Sequence, residues 1–373
     1  MRVICAPDKF KQCCTAAEAA RAMAQGVRAA LPSAQVTELP LADGGEGTLD
    51  VLAGAFPQRR TARVRDALGR EVEAAFALSA DGRRALVESA QACGLWRIEE
   101  PDRDPLRAST FGVGQLVAAA LDAGAGELLV GLGGSATSDG GMGMAAALGA
   151  RFADSNGNQL APSGGNLHQV RSIDLSTIDA RLKRTRVRAL CDIMSPMLGE
   201  RGASRSYVVQ KGGTTRTMHK LEEGLAFLSA NVVKAGVRVT GLEDGTGAAG
   251  GLGFGVKAFL GGELEAGADA VLKTLDFRRL AAACELVLTG EGSFDPQTGD
   301  GKLVAALAVE ARAAGVPLVV LAGVVQPGVE LPGVTAAFGI SPYGARKQDC
   351  FDAAPANLAR LAASVVRLLN SRK

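Results

Sequence analysis

The chain has 373 residues, with 41 Lys plus Arg against 39 Asp plus Glu, so its formal charge is +2 with His neutral. That balance lacks the concentrated basic face that nucleic-acid or anionic-membrane binding requires, which argues against both roles. Hydrophobic residues make up 47% but aromatics only 4%, beside 48 glycines, so cores must be built from Ala, Val and Leu between tight turns, the profile of an α/β protein with two domains or one large insertion.

The N-terminal run Val3-Ile4-Cys5-Ala6 is too short, and too soon followed by Asp8 and Lys9, to read as a signal peptide. Later uncharged stretches such as Ala313 to Val329 are broken by Gly and Pro below the ~20 apolar residues of a membrane span. Seven Cys, an odd number without a regular framework, read as reduced thiols, and with only His168 and His219 available no zinc site is expected. The expected location is cytoplasmic.

Val3 to Ala6 reads as a strand, followed by a helix from Thr15 to Leu31 that opens on the capping box Thr15-Ala16-Ala17-Glu18. A second strand, Val36 to Leu41, ends in Asp43-Gly44-Gly45-Glu46-Gly47. From Ala62 to Val87 the pattern changes to alternation, with turn signals at Leu68-Gly69 and Asp81-Gly82, an antiparallel meander. A helix from Gly112 to Ala123, a strand Glu127 to Leu132, a Gly-rich turn and an Ala-rich helix ending near Gly149 follow. Arg186 to Leu190 and Ser206 to Val209 read as strands, and His219 to Ala235 as an amphipathic helix. Leu286 to Thr289, Leu318 to Ala322 and Val334 to Ile340 then recur at the spacing of parallel strands with crossover helices. Together with the first two strands these runs predict one doubly wound parallel sheet, drawn from residues 1–61 and 245–373 around an inserted α/β domain, 62–244, that carries the antiparallel strands.

The glycines fall at strand ends, among acids and hydroxyls, where a backbone can approach an anion and offer its N–H groups. Gly131 to Gly141, containing Gly133, Gly134, Ser135 and Thr137, follows a strand and precedes a helix. Gly245 to Gly255, with Gly250 and Gly251, is a second such run; Thr289-Gly290-Glu291-Gly292-Ser293-Phe294-Asp295, continuing to Gly301-Lys302, is a third. Lys302 at a helix start opposes the helix dipole unless an anion lies nearby. A Walker A loop is absent, because Leu303 follows Gly301-Lys302, and no dinucleotide fingerprint follows the first strand. Gly253 to Ala258 has the Gly-x-Gly-x-x-Ala spacing without a strand before it. Asp8, Lys9 and Lys11 after the first strand, and Asp43 with Glu46 after the second, mix carboxylates and ammonium groups in a way that suits Mg2+ held partly by substrate phosphates. Asp192 is the remaining acid after a strand.

These residues resemble the bacterial glycerate kinase family. The matching pieces are Ala6-Pro7-Asp8 with Phe10-Lys11, Ala42 to Thr48, Gly131 to Gly141, Cys191-Asp192 with Pro196, Gln210-Lys211-Gly212, Gly247 to Gly253, and Thr289 to Gly292 with Asp295, Gln297-Thr298 and Gly301-Lys302. They run through nearly the whole chain in the family's order. Departures stand at Lys9 and Gln12, where the family usually has Ser and Gly around Phe-Lys, at Ser195-Pro196-Met197 in place of Asn-Pro-Leu, and at Tyr207-Val208-Val209 in place of Phe-Gly-Pro. The resemblance implies a flavodoxin-like domain with a second α/β domain inserted, a glycerate-binding cleft between them, and formation of 2-phosphoglycerate, rather than 3-phosphoglycerate, from ATP and Mg2+.

On this reading Lys11, Lys211 and Lys302 neutralise phosphate or the acceptor's carboxylate, and Asp192 or Asp295 takes the proton of the acceptor hydroxyl. Asp8, Lys9, Lys211, Gly44 and Gly45 are expected at the acceptor. Gly133, Gly134, Ser135, Thr137, Gly250, Gly251, Gly290, Gly292 and Lys302 are expected at the nucleotide, and Asp43, Glu46 and Glu291 at the metal. The partners are then small molecules, with a homodimer allowed for. The competing readings are a two-domain small-acid binding or sensor protein without catalysis, and a dehydrogenase, which the missing fingerprint disfavours.

Overall fold

Val3, Ile4 and Cys5 are all buried, as a strand covered by helices on both faces must be. The computed structural model describes residues 1–373 except 12, 192–193, 300–302, 343 and 372–373, with the side chain of 297 also left aside. The chain folds as two compact units, Met1–Asp43 with Ala268–Lys373, and Gly44–Gly267.

In the first unit the strands Gln35–Glu38, Arg2–Cys5, Leu286–Thr289, Leu318–Ala322 and Ala336–Gly339 lie side by side in that order, all parallel. Numbered along the chain this is 2-1-3-4-5, the flavodoxin-like order. All five runs read from the sequence are in it, with Val3 opposite both Leu286 and Val36. Thr15 caps the helix Ala16–Ala30 through the full capping box with Glu18. That helix packs on the C-terminal helix Lys347–Asn370 so closely that a Cβ on Gly26 would lie 1.9 Å from the Ala359 carbonyl oxygen, so only glycine fits there. Met23, Val27, Leu358 and Val366 join Val3 and Cys5 in the core on this face. Val304, from the helix Leu303–Ala314, meets Val320 and Ala322 in a separate cluster.

The second unit is built on a six-stranded sheet in the order Glu263–Ala266, Arg186–Cys191, Glu127–Gly131, Arg84–Glu88, Glu71–Leu78, Gln58–Arg65. The first four are parallel and the last two add antiparallel, which is the predicted meander. Helices Phe111–Asp122, Thr215–Lys234 and Ala248–Leu260 contribute Val113, Leu116, Leu225, Leu228, Leu252 and Phe254 to its core.

Three expectations differ from what is found. The units divide at 43/44 and 267/268 rather than at 61/62 and 244/245. The strand Gln58–Arg65 pairs with the meander, and Glu263–Ala266 pairs with Arg186–Cys191, so hydrogen bonding draws both flanks into the second unit. Ser206 to Val209 is not a strand: Ala203–Tyr207 is a helix and Val209–Lys211 a 3-10 turn, because burial of Ala203, Ser204 and Val208 overrides β propensity. Within Gly245 to Gly255 a helix begins at Ala248 and is kinked at once, with left-handed backbone at Gly245, Ala249, Gly250 and Gly251.

Candidate active site

In a 2-1-3-4-5 sheet the strand order reverses between the first and third strands, and ligands sit outside their carboxyl ends. In the first unit the loops at that point are tied together by backbone bonds. The Asp8 N–H donates to the Gly290 carbonyl at 2.9 Å, the Ala6 N–H to the Leu288 carbonyl at 2.7 Å, and the Thr289 hydroxyl to the Ala6 carbonyl at 2.8 Å. Gly290 is compelled by packing, since a Cβ there would lie 2.4 Å from the Leu321 carbonyl oxygen, whereas one on Gly292 would meet nothing within 4 Å. Thr298 donates its hydroxyl to Glu291 Oε1 at 3.0 Å and accepts the Asp295 N–H at 3.1 Å, which fixes the loop that carries both acids.

Asp8 accepts the N–H of Lys9 at 2.7 Å. Burial, and then the neighbouring charge of Asp43 and Glu291, pushes its carboxyl up to about 7, against the opposing pull of Lys9. The first unit thus brings Asp8, Asp43 and Glu291 into electrostatic range of one another. The native protein holds this proton more tightly than the unfolded chain, so Asp8 contributes stability that is fully present below about pH 4 and is lost as pH rises through about 7. In metal-free buffer Asp8→Asn is therefore expected to stabilise the protein by about 1–3 kcal/mol at pH 8 and by nothing at pH 4. Urea unfolding at the two pH values measures this, and an equal effect at both would contradict it.

The second unit gathers its own loops at the carboxyl ends of its parallel strands. Gly44, with φ +89°, wedges its backbone among Gly131 and Leu190: a Cβ on Gly44 would lie 2.8 Å from Leu190 Cβ, and one on Gly131 would lie 2.7 Å from the Gly44 oxygen. The Gly45 carbonyl accepts the Thr48 hydroxyl at 2.6 Å. The fully buried Glu88 carboxylate accepts the N–H groups of Gly47 at 3.2 Å and Leu49 at 3.1 Å. Glu46 packs beside Gly134.

The run from Gly131 to Gly141 is held at several points. The Leu95 N–H donates to the Gly134 carbonyl, the Ala136 N–H to the Cys93 carbonyl, and the Lys211 ammonium to the Thr137 carbonyl at 2.5 Å. Lys211 is only 3% exposed, so its cation is committed to this place. Asp139 accepts from the Thr110 N–H and hydroxyl and from the N–H groups of Gly141 and Gly143. Its carboxyl is nevertheless raised, because burial outweighs those bonds. The buried hydroxyl of Ser135 has no hydrogen-bond partner among the described residues, nor do those of Ser89 and Ser204. Buried polar atoms are nearly always paired, so these hydroxyls are exceptions within the described residues.

Gly250 and Gly251 press directly against this loop. Their Cβ positions would fall 2.0 Å from the Thr137 oxygen and 2.8 Å from Gly140 Cα. Asp192 and Lys302 lie outside the described residues. The structure places Asp8, Lys9, Lys11, Asp43, Gly290, Glu291, Gly292 and Asp295 in the first unit, and Gly44, Gly45, Glu46, Gly133, Gly134, Ser135, Thr137, Lys211, Gly250 and Gly251 in the second. Among the described residues no three His, Cys, Asp or Glu side chains form a ready-made metal-holding group, and no helix is long and apolar enough to cross a membrane. Glu88 and Asp139 carry no role in the sequence reading, since they hold groups as far as 41 and 29 residues away.

An open α/β protein that collects its polar loops at the carboxyl ends of parallel strands is the class this architecture defines. Residues 3–370 match the Glycerate kinase family. A protein of Halalkalibacterium halodurans named glycerate kinase is 41% identical over 91% of this chain and 90% of its own length. One of Escherichia coli K12 named glycerate 2-kinase is 37% identical over 99% of this chain and 98% of its own. A crystal structure described as that of a "putative glycerate kinase 2" from Salmonella typhimurium LT2 superposes with a TM-score of 0.84 at 36% identity, covering 100% of this chain and 98% of that one. The chain belongs to the glycerate kinase family, and with it to the ATP-dependent kinases.

Proposed function

We propose that the protein transfers the γ-phosphoryl group of ATP to the 2-hydroxyl of glycerate, giving 2-phosphoglycerate and ADP. The observation that carries this reading is the family match over residues 3–370, joined to the full-length likeness to a relative named for the 2-position. Phosphoryl transfer needs positioning and neutralisation of spread charge more than covalent chemistry, and the strand-end loops supply fixed amides, acids and ammonium groups.

In this reading the backbone of Gly133 and Gly134 with the hydroxyls of Ser135 and Thr137 holds phosphate oxygens. Gly250 and Gly251 act by supporting that loop, and Gly290, Gly292 and Lys302 are also read as nucleotide residues. Lys211, which is bonded to the Thr137 carbonyl, holds the loop and places positive charge beside it, and Lys11 neutralises a phosphate or carboxylate. Asp8, Lys9, Gly44 and Gly45 orient glycerate.

The residues fit a divalent cation, because Asp8, raised first by burial and then by the neighbouring charge of Asp43 and Glu291, stands among acids whose mutual repulsion a cation relieves. Asp43, Glu46 and Glu291 are the acids that would hold Mg2+, which uses one or two carboxylates together with substrate phosphates and neutralises the charge on the transferring group. Asp192 or Asp295 takes the hydroxyl proton. A coupled assay of ADP release tests the reaction: release that depends on glycerate is expected, and ADP formed at the same rate without any hydroxy acid would contradict it.

A further inference from the structure

The carboxyl end of the five-stranded sheet in the first unit opens into a cavity of about 740 Å3. Its walls are mostly apolar. Phe10 contributes from the loop after the first strand, Val324 and Ile340 from the ends of the later strands, and Phe351 and Ala354 from the C-terminal helix. Lys11 and Lys347 also line it, and the Lys347 ammonium stands 5.3 Å from the centroid of the Phe351 ring. Gly292 forms another part of the wall, and a side chain grown from it would extend into open space.

Size and chemistry choose between the two substrates of a kinase. Cavities of about 300–1,000 Å3 suit drug-sized ligands. Glycerate, three carbons carrying a carboxylate and two hydroxyls, would leave most of this one empty and would exchange hydration for apolar walls without compensation. A purine is flat, with faces that stack on aromatic rings and aliphatic groups, while ammonium groups at the margin suit the phosphates it carries. The position, beyond the carboxyl ends of a 2-1-3-4-5 sheet, is where such sheets receive nucleotides. Of the residues the nucleotide was expected to touch, Gly292 is here, and Phe10 belongs to the motif after the first strand, whereas Phe351 and Lys347 carry no recognisable motif.

We propose that this cavity holds the purine nucleoside of ATP, with Lys11 and Lys347 beside its phosphates. The proposal rests on the reading of ATP as phosphoryl donor. Two variants reduce the cavity without touching the sheet. Gly292→Leu has backbone room for its side chain, and Ala345→Trp acts from an exposed loop at the rim. Each is expected to weaken ATP binding in titration calorimetry by about tenfold or more and to leave the KM for glycerate within about twofold.

A measurement without substitution accompanies them. Cys350 lines the cavity, whereas Cys284 lies before the amino end of the strand Leu286–Thr289. Saturating ATP is expected to slow iodoacetamide labelling of Cys350, read by mass spectrometry, and to leave Cys284 unaffected. Unchanged ATP affinity in a folded variant, or unprotected Cys350, would overturn the assignment while glycerate-dependent ADP release by the unaltered protein left the kinase reading intact. Weakened glycerate affinity with ATP affinity unchanged would place the acceptor here and overturn it equally. An unaltered protein that binds no ATP and releases no ADP would overturn both readings.

Discussion

Either Asp192→Asn or Asp295→Asn is expected to lower turnover at saturating ATP by about 10²–10⁴-fold, the share of rate enhancement that a positioned general base supplies. The substitution keeps the side chain's size and removes its capacity to take a proton. For the true base the loss falls on kcat, while the Kd for ATP stays near that of the unaltered protein, because an interaction made only in the transition state has gone. The other variant should show a modest effect, carried in KM. Asp295 stands in a loop whose conformation is fixed by the Thr298 hydroxyl, so Asp295→Asn should fold, and its kinetics bear on chemistry rather than on loop order. Retention of most of kcat by both variants would remove both acids from the role and leave the proton's acceptor to another group.

Asp139→Ala is expected to cost about 3–5 kcal/mol of stability, in the range seen when one partner of a buried charged network is deleted. The Thr110 and Gly143 N–H groups reach Oδ2 at 2.8 and 3.1 Å, and the Gly141 N–H reaches Oδ1 at 3.1 Å. The Thr110 hydroxyl, which already accepts the Met144 N–H at 2.9 Å, turns its own proton to this carboxylate. Removing the carboxylate orphans all of these donors in a buried place. Asn is no remedy, because its amide nitrogen must face either the Gly141 N–H or the pair from Thr110 and Gly143, donor against donor. Both variants should therefore unfold at clearly lower urea, and hydrogen exchange should accelerate at Gly141 and Gly143 first. A midpoint unchanged from that of the parent protein would show that this network holds little.

Local signals were the legible part of the fold. The capping box at Thr15 and Glu18, the apolar strand runs and the turn pairs Leu68-Gly69 and Asp81-Gly82 are each decided by neighbours in sequence. Ser206 to Val209 misled, because a β-prone string of Ser, Tyr and Val was overridden by packing that sequence proximity does not reveal. The close packing of Gly250 and Gly251 on Thr137 and Gly140 was not legible either, since a glycine that must admit a distant backbone looks the same in a sequence as one that admits an anion. The strand-end acids of the first unit could be chosen from position alone, since a 2-1-3-4-5 order brings the ends of the first and third strands together. The carboxylates of Glu88 and Asp139 could not, because what gives them meaning is a set of N–H groups supplied from far along the chain.

The most direct test of the account is a phosphorus–proton correlation spectrum of the product made from glycerate, ATP and Mg2+. A phosphorus coupled to the single methine proton, with ADP formed in equal amount, is the predicted result. Phosphorus coupled to the methylene protons would move the transfer to the 3-hydroxyl, and the absence of any phosphorylated acid would contradict the account as a whole.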